Sequence, residues 1–350
     1  MSGAAERLDH FMARANAAYY AGCDPFADFI TSPEISQVFG ELLGAWTAAV
    51  WAQLGRPDPF VLVEAGPGRG TLMADALRLV RRVAPDCHTA ARLHLIETSP
   101  RLRGIQARAL DGMAPVPVCW HDSLATVPDG PMIFLANEFL DALPIRQFIR
   151  RVGGWAERFV RHGAFVAVPV SFPPDHPAGT RAVPEGDVLE TCQPALDFTQ
   201  ALATRLGHAS GAALLIDYGY DAPAWGDSLQ ALRGGRPADP LHDPGTADLT
   251  AHVDFRSIAQ RAAQCGGVDI WGSVPQGPFL AALGLAARCA QLERAAPRQA
   301  AQTRVAAARL AAPEHMGQLF RVLGLSAGLV GGLPGFAGRR GTEVAPNRGT

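Results

Sequence analysis

Glu64, Gly66, Gly68 and Gly70 occupy every second position of VEAGPGRGTL, which follows directly on the apolar run FVLV. A backbone that needs so many glycines at the mouth of a strand is making room for a ligand that approaches it closely. A dinucleotide fingerprint would put its third glycine one position later, where this chain has Thr71. A Walker loop needs a lysine before its hydroxyl residue, and all 31 basic residues here are arginines. A glycine turn with no phosphate-cradling extension suits a cofactor that lacks a pyrophosphate, and S-adenosylmethionine is the common one. Gly66, Pro67, Gly68 and Gly70 would pass beneath its methionyl portion, and Glu64 would meet its ammonium group. An ordinary tight strand–helix turn is the plain alternative.

Two further acids follow later apolar runs. Glu97 ends ARLHLIE, the place where nucleoside-binding α/β folds accept hydrogen bonds from ribose hydroxyls. Asp122, in CWHDSL, could take a proton from an adenine amine; it equally fits a surface helix cap. Asn137, Glu138 and Asp141 lie in LANEFLDALPIRQF, and the chain has only three asparagines. A helical turn starting there would put both carboxylates on one face at (i, i+3) spacing, and Pro144 would stop it. That pair could bind an acceptor beside a sulfonium, or simply cap a helix start. In DLTAHVDF, His252 is a candidate proton acceptor, although D-x-T-x-H-x-D also reads as a turn or cap.

Composition removes several classes. The absence of lysine excludes Schiff-base chemistry and pyridoxal anchoring. A formal net charge of −2 gives no general affinity for nucleic acid or anionic lipid. The six cysteines contain no C-x-x-C pair, which argues against structural zinc and a disulfide framework and for a reducing compartment. No metal site can be assembled from the His and Cys positions. The N-terminus lacks an apolar signal core, and no run reaches the ~18 apolar residues of a membrane span. The expectation is a cytoplasmic protein with no membrane insertion.

Several elements must position these residues. SPEISQVFGELLGAWTAAVWAQLG reads as one helix with Ser32 as N-cap and Pro33 at its first position. Apolar strands at 60–65, 91–97, 116–120 and 131–137 alternate with amphipathic helices at 71–83 and 100–110, which predicts a parallel sheet with helices on both faces. Residues 1–58 then form a helical cap and 59–150 the first part of the core. Residues 151–190 form a β-rich insertion ending in a proline-rich connection, and 191–275 continue the core with a helix near 195–206 and a strand at 212–220. The segment 276–328 reads as helical, and 329–350 as a disordered tail.

DPFADFITSPEISQVFGELLGAW, VEAGPGRGTL, HLIETSPRLRGIQ, ANEFLDALP, LLIDYGY, DPGTADLTAHVDF, QGPFLAALGL and MGQLF occur in that order. Together they resemble the MidA-like class I S-adenosylmethionine-dependent methyltransferases, the family of the mitochondrial complex I assembly factor that methylates an arginine on a core subunit. The resemblance runs from about 19 to 323. It implies an α/β fold: a Rossmann-like class I methyltransferase sheet with the cofactor at GPGRG, helical N-terminal and C-terminal additions, and a β-rich insertion. It also implies a protein substrate, such as a complex I subunit, whose arginine would be held by Glu138 and Asp141. Asn137 would sit at the cofactor or the attacking nitrogen, and Glu34 of PEIS would contribute to a lid. Another methyl acceptor, or an assembly factor that does not catalyse, remains open. One departure concerns the N-terminal loop, because Phe26 is followed at once by Ala27 and Asp28 where the family carries a glycine-containing stretch.

Overall fold

The computed structural model describes residues 4–22, 31–171, 184–222 and 224–339. The shortened loop at Phe26–Asp28 and most of the proline-rich connection lie outside the described residues.

An eight-stranded sheet forms the centre. Its main strands are β1 (Phe60–Ala65), β2 (Ala91–Ile96), β3 (Cys119–His121), β4 (Met132–Asn137), β5 (Gly211–Tyr220), β6 (Asp269–Pro275) and β7 (Phe320–Ala327). They lie in the order β6-β7-β5-β4-β1-β2-β3. The short strand Val253–Asp254 pairs with the end of β5. Strands β3, β2, β1, β4 and β5 are mutually parallel, whereas β7 runs antiparallel between β5 and β6. The sheet is therefore mixed rather than parallel throughout. The chain leaves β1 towards β2 and β3 on one side and returns through β4 on the other, so the crevice between β1 and β4 is the switch point where such sheets bind ligands.

Both faces of the central strands are buried, and alternate residues along them supply the two faces. Phe60 and Leu62 join one apolar cluster with the helices Gln37–Gln53 and Thr71–Val83 and the C-terminal helices. Val61, Val63 and Ala65 join the other with helices Gln193–Ala209 and Phe255–Cys265. Two-sided burial is why FVLVEA reads as a continuous apolar run rather than an alternating one.

Several expectations change. The helix expected from Ser32 is two: a short Ser32–Ile35 piece capped by Thr31, then Gln37–Gln53. Ser36 breaks it with extended dihedrals, its hydroxyl accepting the Val38 N–H at 3.3 Å, the local competition that makes serine a cap rather than a helix interior. The third strand is shorter than 116–120 and begins only at Cys119. The sheet of the insertion starts earlier than 151, with Arg146–Arg151, and recruits Glu6–Arg7 from the N-terminus. The segment 276–328 is helical only to about 317, because β7 closes it inside the main sheet. The tail expected to be disordered is packed as far as 339: Leu333 is buried, Phe336 lies 5.3 Å from the Phe279 ring, and the Trp46 indole donates to the Pro334 carbonyl. Residues 340–350 are outside the described residues.

The helices Gln37–Gln53 and Thr71–Val83 meet through two small residues. A Cβ on Gly44 would stand 2.6 Å from the Ala76 carbonyl oxygen, and one on Gly40 would stand 2.7 Å from the Asp75 Cβ. This contact seats the helix that begins at the glycine loop. Gly44→Val should cost about 1–3 kcal/mol by overpacking and lower the melting temperature in scanning calorimetry. Ala49→Val, at an exposed position of the same helix, should leave it nearly unchanged.

Candidate functional site

Gly66, Gly68 and Gly70 all adopt positive φ, at 63°, 54° and 82°. Three left-handed residues in five positions explain the glycine spacing, since any other residue there would be strained. A Cβ on Gly66 would also stand 3.1 Å from the Phe139 ring. Gly70 is the N-cap of helix Thr71–Val83 and offers no side-chain cap, and the first N–H groups of a helix suit an anion such as a carboxylate.

The loop floors a cavity of about 670 Å³ that takes in the ends of β1, β2 and β4. Glu34, Glu64, Gly66, Pro67, Gly68, Glu97, Asp122, Asn137 and Glu138 all line it. Gly70, Asp141 and His252 do not.

Glu64 is buried, and its Oε2 meets no hydrogen-bond donor among the described residues. Burial pushes its carboxyl up to about 8. The Oδ1 of Asn137 is likewise buried and without a partner among the described residues. Two orphaned acceptors in one pocket are a costly arrangement unless a ligand brings donors. Glu97 is better supported: the Ser99 N–H donates to it at 2.8 Å and the Gln106 amide at 3.1 Å. Gln106 also donates to the Gly68 carbonyl at 2.8 Å and accepts from the Trp120 indole at 2.9 Å. It thereby ties the glycine loop, β2 and β3 together. Asp122 stands at the rim, 81% exposed, in an ion pair with Arg103 at 2.6 Å. That pairing takes up one of its oxygens and makes it the most solvent-screened of the pocket acids.

The helical turn expected at Asn137–Asp141 is absent. Glu138 sits at φ 51° and Leu140–Leu143 form only a single turn. The two carboxylates do not share a helix face. Glu138 Oε1 accepts the Ser32 N–H at 2.9 Å and the Asn137 amide at 3.0 Å, whereas Asp141 Oδ2 accepts the Tyr218 hydroxyl at 2.6 Å. The reason lies in a residue that the sequence reading passed over. Asp217, fully buried on β5, accepts the backbone N–H groups of Phe139, Leu140 and Asp141 on one oxygen. Burial raises all three acids, Glu138 to about 7 and Asp141 to about 6, and neighbouring carboxylates raise Glu138 and Asp217 further.

His252 lies elsewhere, lining a second cavity beside helix Phe255–Cys265, with its ring edge-on to Tyr218. Asp254 is the N-cap of that helix, accepting the Ser257 N–H at 3.1 Å. Glu34 accepts from the Thr71 hydroxyl and lies 3.7 Å from Arg69, which pins the N-terminal segment on the glycine loop. Asn16 was also missed: it donates to the Ala142 and Leu249 carbonyls and accepts the Leu249 N–H.

A family model described as "Putative S-adenosyl-L-methionine-dependent methyltransferase" matches residues 42–274. The chain belongs to this methyltransferase family. Among its relatives, the mouse "Protein arginine methyltransferase NDUFAF7, mitochondrial" is 36% identical over 92% of this chain and 80% of its own length. The Drosophila melanogaster homologue is 34% identical over 93% and 82%. A crystal structure from Burkholderia thailandensis, bound to S-adenosyl-homocysteine, superimposes with a TM-score of 0.80 at 26% identity, covering 96% of this chain and 92% of the other. A second structure from that organism gives 0.82 at 29% identity over 96% and 91%.

The pocket of this methyltransferase fits S-adenosylmethionine on its own evidence. The glycine floor, the orphaned acceptors of Glu64 and Asn137, and the helix N-terminus match an amino-acid portion carrying both charges. Glu97 follows the strand end at which nucleoside-binding α/β folds accept ribose hydroxyls. When bound, the cofactor supplies a methyl group on a positively charged sulfur.

Because Glu64 titrates at about 8 in the ligand-free protein, binding a cation beside it at pH 7 should release about one proton. Calorimetric titrations with S-adenosyl-homocysteine in buffers of different ionisation enthalpy measure this. Glu64→Gln should abolish the release and weaken binding about 30- to 100-fold. An unfolded glutamate titrates near 4.3, so ionisation of Glu64 costs stability progressively as pH rises from ~4 to ~8. Glu64→Gln should therefore raise the melting temperature of the ligand-free protein more at pH 8 than at pH 5.

Proposed function

We propose that this methyltransferase N-methylates an arginine of a protein substrate, with a respiratory complex I subunit as the partner. The observation that carries the acceptor is the set of buried acids beside the cofactor pocket. Glu138 and Asp141 have no arginine partner among the described residues, only neutral donors. Asp141 Oδ1 has no hydrogen-bond partner at all among them. Buried carboxyls raised to 6–7 are poised to bind a cation, which would let them ionise.

A guanidinium is a poor nucleophile because its lone pairs are delocalised. Carboxylates holding its non-reacting nitrogens localise positive charge away from the attacking one and fix its direction. A pocket that excluded water and held the acceptor in line with the methyl group would supply most of what such a displacement requires. Asn137, through its free Oδ1, would orient the attacking nitrogen or the cofactor. The relatives named above act on protein arginine by their names, which supports the reading.

The compartment belongs to the same proposal. The relatives are mitochondrial, whereas a cytoplasmic place was expected from sequence. Cys87, Cys119, Cys192, Cys265 and Cys289 are all free, which suits a reducing environment. No described helix is long and apolar enough to cross a membrane.

Mass spectrometry of complex I subunits from cells with and without the gene tests the substrate. One methylated arginine should disappear, and an unchanged arginine methylation pattern would sink the reading. With purified acceptor, Glu138→Gln and Asp141→Asn should each lower kcat about 10²-fold or more while cofactor affinity stays within a few-fold. The native rate should rise with pH through about 6–7, where these two acids ionise, and level above that. A rate flat from pH 5 to 8 would exclude the clamp.

A further inference from the structure

We propose that Asp217 and Tyr218, adjacent on β5, are positioning residues for methyl transfer: Asp217 fixes the backbone of the Glu138–Asp141 loop, and Tyr218 aims the Asp141 carboxylate. The proposal rests on the clamp reading above for its effect on rate, but its geometric half stands without it.

Three successive N–H groups, those of Phe139, Leu140 and Asp141, point to one place. In a buried loop each would cost about 1–3 kcal/mol if left without an acceptor. Asp217 Oδ2 receives all three, at 3.2, 2.9 and 3.2 Å, and its Oδ1 takes the Tyr218 N–H at 2.9 Å. The residue that does this is itself held on both sides. Asp217 pairs with Arg321 of β7, and its predecessor Ile216 pairs with Asn137 of β4.

The loop needs such a clamp because Glu138 is a non-glycine residue at φ 51°. Left-handed residues of this kind persist only where surroundings over-determine them, and they concentrate at functional sites. Here the Glu138 N–H donates to the Ile216 carbonyl at 2.9 Å, so β5 holds the strained residue from one side and Asp217 holds the next three from the other.

Tyr218 then sets the side chain. Its hydroxyl donates to Asp141 Oδ2 at 2.6 Å, and its ring is wedged between His252 at 5.6 Å and Phe320 at 5.4 Å. One Asp141 oxygen is thereby fixed while Oδ1 stays available. The ionisable groups facing Asp141 are Glu138 on its own loop, Asp217 and Tyr218 on β5, and Tyr20 from helix Leu8–Gly22, which is bonded to Asp248. Among these side chains, the Tyr218 hydroxyl is the contact that favours ionised Asp141.

Two variants and one native measurement test this. In the native protein, hydrogen exchange should show the amides of Phe139, Leu140 and Asp141 as slow as those of β4. Fast exchange there overturns the positioning role of Asp217, whether or not any variant folds and whatever the acceptor. Asp217→Asn should speed exchange of the 138–143 peptide at least about tenfold with β1 unaffected; an unchanged peptide also overturns it. Tyr218→Phe should bind S-adenosyl-homocysteine with a Kd within about twofold of native. Its acid limb should move up by about one pH unit, so that kcat falls about tenfold at pH 5 but only about twofold at pH 7, and the deficit vanishes towards pH 9. A loss of equal size at every pH would mark Tyr218 as merely structural and overturn its part. Slow loop amides in a protein that methylates no arginine would instead overturn the acceptor reading and leave the clamp of the loop standing.

Discussion

Carboxyl groups converge on the carboxyl ends of β1, β4 and β5, and nothing described in the protein neutralises two of the most exposed to that constraint, Glu64 and Asp141. Taking such groups out of water without a partner is expensive, and the protein meets the cost in two ways. Some acids are surrounded by N–H and O–H donors, as Asp217 is by four backbone N–H groups. Burial raises Asp217 as well, but its donors are in place, whereas Glu64 lacks a donor on Oε2 and keeps its proton until a cation arrives. The pattern separates acids that hold the frame from acids that wait for a ligand. It also explains why the frame must be rigid. A loop that could relax would let Glu138 and Asp141 turn to solvent, and their proton-retaining state would be lost.

The part of this arrangement that could be read from sequence is the part encoded locally. The glycine spacing of VEAGPGRGTL reports three left-handed residues, a property of each residue alone, and the structure has all three. The strands β1, β2 and β4 were legible because two-sided burial demands uninterrupted apolar residues. The polar residue at each strand end was legible as a position, since Glu64, Glu97 and Asn137 all reach one cavity.

What could not be read is what arrives from far along the chain. The loop after β4 has the composition of a helix start, and local propensity favours a helical turn there. Its N–H groups are instead claimed by Asp217, about 77 residues away in sequence. A signal did exist, for Asp217 is an acid inside the apolar strand GAALLIDYGY, and such a residue must have partners. Asn16 carries a similar signal: it is one of three asparagines and stands in an alanine-rich helix. His252 gave no local sign of its place, which is a second cavity with its ring against Tyr218. The C-terminal tail misled by composition. Its glycines and prolines look disordered, but Leu333 and Phe336 give it enough apolar surface to be held against the core.

The family model begins at residue 42, yet the pocket does not. Asn16, Tyr20, Pro33 and Glu34 line it from the N-terminal side, and the Ser32 N–H reaches Glu138 directly. Asn16 bridges the loop after β4 to the strand Asp248–Thr250. A bare Rossmann-like sheet would offer the cofactor a floor and a ribose contact but would leave Glu138 facing water, where its carboxyl would behave as an ordinary surface acid. The N-terminal segment is what removes the water, and Glu34, joined to Thr71 and Arg69, fastens that segment to the same glycine loop that underlies the cofactor. The glycine loop and the wall that carries Glu138 therefore share one structural element. That is a physical reason for similarity to relatives to extend over 92% of the chain rather than stop at the sheet.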